Sequence, residues 1–168
     1  MRVRVYVDGF NLYYRALRKT EFKWLDPLAL ARILLDPDDT IDCIRYFTAR
    51  ISSRSGDPGA PARQQAYLSA LQTIPQIKIH YGRFIAKTKV RPLVEDISTY
   101  VEVHDTEEKG SDVNLATYLV HDGWSDLYDA ALVMSQDTDL CEPIRLVRDD
   151  LQRRVGIAWL DGREPGRR

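Results

Sequence analysis

The sequence predicts an α/β fold, a three-layer sandwich with a central, mostly parallel sheet of about five strands. Two observations lead to this fold class. Short apolar runs rich in β-branched and aromatic residues alternate along the chain with segments of helical periodicity. The 168 residues contain no internal repeat or linker, so they suit one domain. Parallel strands joined by helices on both faces of one sheet account for both observations.

The elements of the first half begin with "VRVYV", which we predict to be the first and central strand, ending at Asp8. From Phe10 the spacing of apolar residues becomes helical. Asp26 followed by proline is typical of a helix N-cap, and this second helix is predicted to run to about Leu35. The alternating segment "TIDCIRYFTAR" is the predicted second strand. The loop "SSRSGDPGAP" then leads into a helix that begins near Pro61.

In the second half, "IKIHYGRF" is the predicted third strand. Residues 85–104 are expected to form irregular or hairpin structure inserted before the next helix. Ser111 is predicted to cap that helix, which runs to about His121. "LYDAALVMS" and "VGIAWL" are the predicted fourth and fifth strands, with a helix between them. We expect one domain over residues 1–160 and a disordered tail over residues 161–168.

Composition and patterning exclude several classes of protein. No apolar stretch approaches the ~20 residues that cross a bilayer, and the N-terminus lacks the features of a signal peptide, so we expect a soluble, cytoplasmic protein. Cys43 and Cys141 lack the spacing of a zinc site or a disulfide framework and are expected to be two buried thiols. His80, His104 and His121 form neither a zinc pattern nor a catalytic triad.

Charge is unevenly distributed, although the formal net charge is only −1. Residues 1–91 carry 16 Lys and Arg and 8 Asp and Glu, whereas residues 92–168 carry 8 and 17. The basic excess could bind phosphates, as a nuclease requires. Two ordinary solvated faces are the alternative interpretation.

Four aspartates follow predicted strand ends or begin a predicted helix. Asp8 follows the first strand, Asp137 and Asp139 follow the fourth, and Asp112 begins a helix. If the two strands are parallel neighbours, their carboxyl ends meet at the edge where open α/β sheets bind ligands. Crowded carboxylates repel one another unless a hard cation neutralises them, and oxygen ligands suit Mg²⁺ or Mn²⁺. The pattern therefore predicts a metal-dependent phosphodiesterase.

Each aspartate also has an ordinary structural explanation. Asp8 could be a turn residue before glycine, and Asp112 could stabilise the dipole of its helix. Asp137 and Asp139 could cap the following helix, although two acids exceed what one cap needs. Their combination favours function.

Three segments, "YVDGFNLYY", "EEKGSDVNLATYLVHDG" and "YDAALVMSQDTDLCEPI", resemble the NYN domain family, a branch of the PIN-like metal-dependent ribonucleases. The resemblance covers nearly the whole chain. It implies a PIN-like α/β sandwich whose acidic residues bind divalent metal to hydrolyse RNA. By motif position it implies that the metal-site and catalytic acids are Asp8, Asp112, Asp137 and Asp139.

The resemblance also implies roles for two polar residues. Asn11 would orient a water molecule or the scissile phosphate, and Ser135 opens an "SGDxD"-like segment and is assigned to substrate binding. The chain departs from the family at Gln136, where a small residue is usual, and at Leu140, where an aromatic residue is frequent. The family often continues with another helix after the last strand, which leaves the C-terminal boundary open.

We expect Asp8 and Asp137 to be direct metal ligands because they end adjacent strands, with Asp112 and Asp139 acting through waters or at a second metal. Lys87, Lys89 and Arg91 alternate, so an extended segment would present all three on one side. Such a row forms either a solvated edge or a track for phosphates. Further candidates for binding RNA are Arg50, Arg54 and Arg63.

The predicted function is a metal-dependent (endo)ribonuclease with Mg²⁺ or Mn²⁺ as cofactor and RNA as partner, with DNA as a possible second substrate. An RNA-binding or regulatory module with weak or no cleavage is the alternative. A phosphatase or receiver-type domain is disfavoured because the sequence has no "DxDGT"-like nucleophile motif. The oligomeric state is left open, with a homodimer as one of the options.

Overall fold

A five-stranded parallel sheet lies at the centre of the computed structural model, which describes residues 1–53 and 56–161. Its strands are β1 (Arg2–Asp8), β2 (Thr40–Thr48), β3 (Ile77–Tyr81), β6 (Ala130–Met134) and β7 (Arg154–Ile157). In space their order is β3-β2-β1-β6-β7, and every neighbouring pair is parallel. The predicted fold class and the central position of β1 are therefore confirmed.

Helical segments connect these strands. A short helix α1 (Gly9–Asn11) continues as a π-helix (Leu12–Leu17), followed by α2 (Pro27–Leu34), α3 (Ala60–Gln72) and α4 (Ser111–Trp124). After β6 the chain forms a 3₁₀ turn (Thr138–Leu140), α5 (Cys141–Arg145) and a π-helix (Leu146–Asp150). The one helix predicted after the fourth strand is thus three consecutive segments. Helix α2 has the predicted N-cap, since Asp26 accepts hydrogen bonds from the N–H groups of Leu28 and Ala29.

The central strand β1 is buried on both faces, as parallel sheets require. Val3, Val5 and Val7 pack in a cluster with apolar residues of α2, α3 and the first π-helix. Tyr6, which alternates with them, packs in a second cluster with Leu119 of α4 and residues beyond β6. Each fully buried aliphatic side chain contributes about 1.5–3 kcal/mol, so the two clusters hold the helical layers against the sheet.

Residues between β3 and α4 form a separate hairpin of β4 (Arg83–Pro92) and β5 (Tyr100–Lys109), paired antiparallel from Arg83↔Lys109 to Pro92↔Tyr100. Of the two structures expected for this stretch, the hairpin is the observed one. The predicted third strand is divided, because β3 ends at Tyr81 and β4 begins after Gly82. A Cβ on Gly82 would lie 2.7 Å from the carbonyl oxygen of Lys109, so the close approach requires glycine.

A buried ionic network lies on the α4 side of the sheet. Asp122 is fully buried and accepts hydrogen bonds from the Tyr6 hydroxyl at 2.8 Å and from Arg45 Nε at 2.7 Å and Nη2 at 3.0 Å. Arg4 Nη1 lies 3.0 Å from the same carboxylate. Burial opposes ionisation of Asp122, but its hydrogen bonds and ion pair with Arg45 hold its pKa below the usual range. The carboxylate thus joins β1, β2 and α4.

Three expectations are corrected or lie outside the described residues. Gly110, at φ 101°, is the N-cap of α4, and the Ser111 hydroxyl instead donates to Glu108 Oε1 at 2.8 Å. The left-handed φ suits glycine, which explains why the preceding residue replaces serine as the cap. Cys43 is buried as expected, but Cys141 is exposed. Arg54 and residues 162–168 of the expected tail are outside the described residues. In the part of the chain that is described, no helix has the length and apolarity needed to cross a membrane.

Candidate active site

The candidate site lies where β1 and β6 end side by side. The two strands are paired up to Val7↔Met134, and their next residues turn toward each other. The Ser135 hydroxyl donates to Asp8 Oδ2 at 2.9 Å, and the Asp137 N–H donates to Ser135 Oγ at 3.1 Å. The structure therefore brings Asp8 and Asp137 to one edge of the sheet.

Asp8 is the most buried acid of the site, with 4% of its surface exposed. Its Oδ1 accepts the N–H of Asn11 at 2.9 Å, so the same side chain caps α1. Burial raises the pKa of Asp8, while the hydrogen bonds from Asn11 and Ser135 oppose that shift. The adjacent residue must be glycine, because a Cβ on Gly9 would lie 2.6 Å from the Tyr46 ring. Both oxygens of Asp8 are thus held in position.

Asp112 lies in the first turn of α4 and is half-buried. Burial, followed by the negative charges of Asp8 and Asp137, raises its pKa to about 6. Glu108 and Asp139 add to this effect. The shift reports mutual repulsion among acids from four separate segments of the chain.

Asp137 and Asp139 differ in their surroundings. Asp137 is half-buried, contributes to the cavity described below, and accepts the N–H of Asp139 at 2.9 Å, so it also caps the 3₁₀ turn. Asp139 is exposed and is absent from the described residues that line the cavity. This is the arrangement expected if Asp139 lies at the rim.

Glu108, the acid that sequence reasoning missed, lines the same cavity. It is the penultimate residue of β5 and accepts hydrogen bonds from the N–H of Ser111 at 3.2 Å and from its hydroxyl at 2.8 Å. The signal was present in the "EEKGSD" segment, four residues before Asp112. Its position at the site depends on the hairpin, which returns the chain to the sheet edge.

Two amide side chains adjoin the acids. Asn11 Oδ1 accepts the N–H of Gln136 at 3.3 Å, which connects α1 to the segment after β6. Among the described residues, Gln136 Oε1 is one of two buried side-chain polar atoms without a hydrogen-bond partner. Buried oxygens of this kind ordinarily accept a hydrogen bond from water or a ligand.

The donor set has the chemistry that Mg²⁺ or Mn²⁺ requires, since it consists of carboxylates that repel one another. Within residues 1–53 and 56–161, however, no group of three or more Asp, Glu, His or Cys side chains is arranged to hold a metal ion. The metal site at Asp8, Asp112, Asp137 and Asp139 therefore stays a prediction.

The acids open into a cavity of about 780 Å³. Besides Asp8, Asp112, Asp137 and Glu108, its lining is rich in aromatic residues, namely Phe10, Tyr13, Tyr14, Trp24, Tyr46, Tyr67 and Phe84. Three cations also line it: Arg18, Lys23 and Arg63. Arg63 was a predicted RNA-binding residue, and it is paired with Asp57. Arg18 and Lys23 were missed because helical spacing alone does not show which side of a short helix faces a cavity.

The predicted row of Lys87, Lys89 and Arg91 lies on β4, and none of the three is among the described residues that line the cavity. Phe84, which does line it, is separated from them by an odd number of positions and therefore points to the opposite face of the hairpin. Lys87 pairs with Glu107 at 3.0 Å, and Lys89 pairs with both Asp105 and Glu107.

Arg50 also lies outside this lining. It donates to Gln65 Oε1, and its guanidinium carbon lies 5.0 Å from the centroid of the Tyr81 ring. The side chain is exposed, so it is accessible to a ligand.

Comparison with known proteins gives two similar proteins, and no protein-family model matches the chain. The chain is 30% identical over 190 residues to 6-hydroxy-3-succinoylpyridine 3-monooxygenase HspA of Pseudomonas putida (strain DSM 28022 / S16). The alignment covers 94% of this chain but 59% of that protein, so the chain spans about three fifths of its relative's length.

Among solved structures, a protein of unknown function, VPA0982 from Vibrio parahaemolyticus RIMD 2210633, has a similar fold, with a TM-score of 0.58. The match covers 93% of this chain and 79% of that chain at 16% sequence identity. At this identity the similarity concerns the fold alone.

Proposed function

We propose that this chain is an NYN-type, metal-dependent (endo)ribonuclease of the cytoplasm that hydrolyses RNA phosphodiester bonds. One observation carries the proposal: Asp8, Asp112, Asp137 and Glu108 line one cavity at the carboxyl edge of a parallel sheet. Concentrating negative charge there disfavours binding of RNA unless cations are also bound. A protein that only binds RNA gains nothing from such a cluster, whereas metal-assisted hydrolysis requires it.

In this proposal Asp8, Asp112, Asp137 and Asp139 hold Mg²⁺ or Mn²⁺. The bound cations would polarise the phosphoryl oxygens and lower the pKa of the attacking water. Ser135 and the N–H of Asn11 hold the two oxygens of Asp8 in one orientation. Ser135 therefore acts as a positioning residue.

The remaining polar residues of the site act on orientation and charge. Glu108, held by Ser111, adds a further carboxylate to the cavity. Asn11 holds the backbone of Gln136 and thereby positions the segment that leads to Asp137. Ionisation of Asp112 prepares the site for a cation, and this step requires a pH above its raised pKa of about 6.

The test is cleavage of labelled single-stranded and structured RNAs with Mg²⁺, with Mn²⁺ and with a chelator. Cleavage is expected only with metal, and Asp8→Asn and Asp137→Asn are expected to abolish it. Asp38→Asn is the matched control, because Asp38 is an exposed acid between α2 and β2. Metal-independent cleavage, or a pure Asp137→Asn protein that cuts at the parent rate, contradicts the proposal. Metal-independent RNA binding without cleavage would instead favour the regulatory module.

A second candidate function, oxidation of a small heteroaromatic compound, is favoured by the relative that is named a monooxygenase and aligns with 94% of this chain. The aromatic lining of the cavity would suit a planar ring. A monooxygenase inserts one atom of O₂ into its substrate and reduces the other to water, so it needs a two-electron donor. Oxygen consumption that requires both a hydroxypyridine and NADH, and is unaffected by RNA, would select this candidate.

A further inference from the structure

The cavity exposes aromatic rings that packing alone would have covered. Trp24 is 58% exposed and Tyr14 is 53% exposed, yet both line the cavity beside the acids. Contiguous exposed apolar surface of this kind ordinarily marks a binding site. The rings are therefore candidates for contact with a ligand.

Ring-to-ring contacts hold these side chains in place. Trp24 meets Tyr67 edge to face, with centroids 6.1 Å apart, and the Tyr67 hydroxyl donates to the carbonyl oxygen of Leu25 at 2.8 Å. Tyr14 stacks beside Phe10 at 6.4 Å. Because the rings are positioned by their neighbours, a planar ligand can stack on them at a small cost in conformational entropy.

The cavity has charges of both signs. Arg18 and Lys23 line it together with the acids, and the Arg18 guanidinium lies 5.5 Å from the Tyr14 ring centroid. A ligand that matches these features has a planar ring for the aromatic residues and an anionic group between the cations and a metal-loaded acid cluster. The volume of about 780 Å³ is within the usual range for a bound small molecule, which is about 300–1,000 Å³.

We propose that this cavity is a nucleobase subsite, in which an unpaired base of single-stranded RNA stacks on Trp24 and Tyr14 while an adjacent phosphate lies against the acids. The inference rests on the proposed ribonuclease function and adds its substrate class. A base inside a duplex remains stacked and paired, so double-stranded RNA cannot fill the subsite.

The subsite should tolerate different bases. The side-chain amide of Gln64, a polar group in the lining, is committed to the backbone: Nε2 donates to Ala49 O at 2.9 Å and Oε1 accepts the N–H of Ile51 at 3.0 Å. Recognition then depends on stacking, which every base can provide, more than on hydrogen bonds to base edges.

The test is binding of a short, labelled single-stranded RNA, measured by fluorescence anisotropy in Ca²⁺. This ion offsets the acidic charge without reproducing the strict octahedral geometry of Mg²⁺. Trp24→Ala is expected to weaken binding about 5- to 150-fold, the effect of losing one aromatic–base stack, and Trp24→Phe should retain most of the affinity. The matched control is Trp124→Ala, because Trp124 is 79% exposed at the end of α4 and belongs to no part of this cavity. Circular dichroism checks that each variant is folded.

Two further ligands identify the source of the affinity. An RNA of the same length with abasic nucleotides should bind as weakly to the parent as normal RNA binds to Trp24→Ala. A free nucleoside monophosphate that binds in a Trp24-dependent manner supports the subsite with a mononucleotide as the ligand. Equal affinities of the parent and Trp24→Ala, or of normal and abasic RNA, overturn the subsite.

Cleavage in Mn²⁺ separates this inference from the proposed activity. Metal-dependent cleavage that is identical in the parent and in Trp24→Ala, and identical on normal and abasic RNA, leaves the ribonuclease and removes the subsite. Trp24-dependent binding without cleavage retains the subsite and removes the ribonuclease.

Discussion

Replacing Asp122 with alanine should destabilise the protein strongly without touching the candidate site. Asp122 is fully buried and accepts two hydrogen bonds from Arg45 and one from the Tyr6 hydroxyl. Arg4 also pairs with it, at 3.0 Å. The variant removes all of these interactions together, and it leaves two guanidinium groups beside an apolar side chain.

The magnitude follows from what each arginine retains. Arg4 keeps Asp42, whose Oδ2 lies 2.8 Å away, so its charge stays paired. Arg45 keeps its contact with the Tyr118 ring, 4.2 Å from the centroid, but its paired carboxylate is lost while the residue is 9% exposed. Breaking one buried ion pair costs about 3–5 kcal/mol. Total stabilities are about 5–15 kcal/mol, so the loss is a large fraction of the total.

Urea unfolding followed by circular dichroism measures this loss as a lower midpoint at unchanged slope. Asp149→Ala is the matched control, since Asp149 pairs with Arg148 at the surface and such pairs contribute about 0–1 kcal/mol. The pKa of Asp122 is lowered in the folded state, so its stabilisation is present above the ordinary carboxylate pKa and is lost as pH falls below it. The gap between the parent and Asp122→Ala should therefore shrink in acid. A difference below about 1 kcal/mol at neutral pH would refute the reasoning.

Three further predictions concern the candidate site. Asp112→Asn should stabilise the metal-free protein by on the order of 1 kcal/mol above pH 6, because a raised carboxylate pKa means that ionisation costs folding stability as pH rises through about 6; thermal unfolding in chelator at pH 5 and pH 8 measures this, and an equal effect at both pH values contradicts it. Ser135→Ala should lower the proposed cleavage about 10- to 100-fold, since Asp8 loses the hydroxyl that orients it; a kinetic assay at saturating Mn²⁺ should show a parent-like rate only if that hydrogen bond is dispensable. Replacing Lys87, Lys89 and Arg91 together with alanine should weaken RNA binding and flatten the log–log salt dependence by roughly 0.7 per lost phosphate contact. An unchanged slope for this variant, with a flatter slope for Arg18→Ala/Lys23→Ala, would move the phosphate contacts to the cavity.

Local patterns in the sequence were enough to predict most of the fold. The strand at "VRVYV", the N-cap at Asp26 and the break after Leu35 depend on neighbouring residues alone. The parallel order followed from the alternation of strands and helices, because parallel strands need long crossover connections. The same rule placed Asp8 and Asp137 at one edge before any coordinates were known. Their proximity is a consequence of topology, so the pattern could reveal it.

Only the tertiary structure decided how the inserted hairpin and the interior are arranged. The hairpin brings Glu108 to the acids and turns Lys89 to the other face, and both outcomes depend on where β4 begins after Gly82. Asp122 looked like an ordinary residue near the end of a helix, yet its partners Arg45 and Arg4 are 77 and 118 positions away in the sequence. Contacts at such separations depend on the packing of whole layers, which a one-dimensional pattern does not contain. The sequence by itself therefore determined the elements, their parallel order and the edge where the aspartates gather, and packing decided which charges are buried, which are paired and which face the cavity.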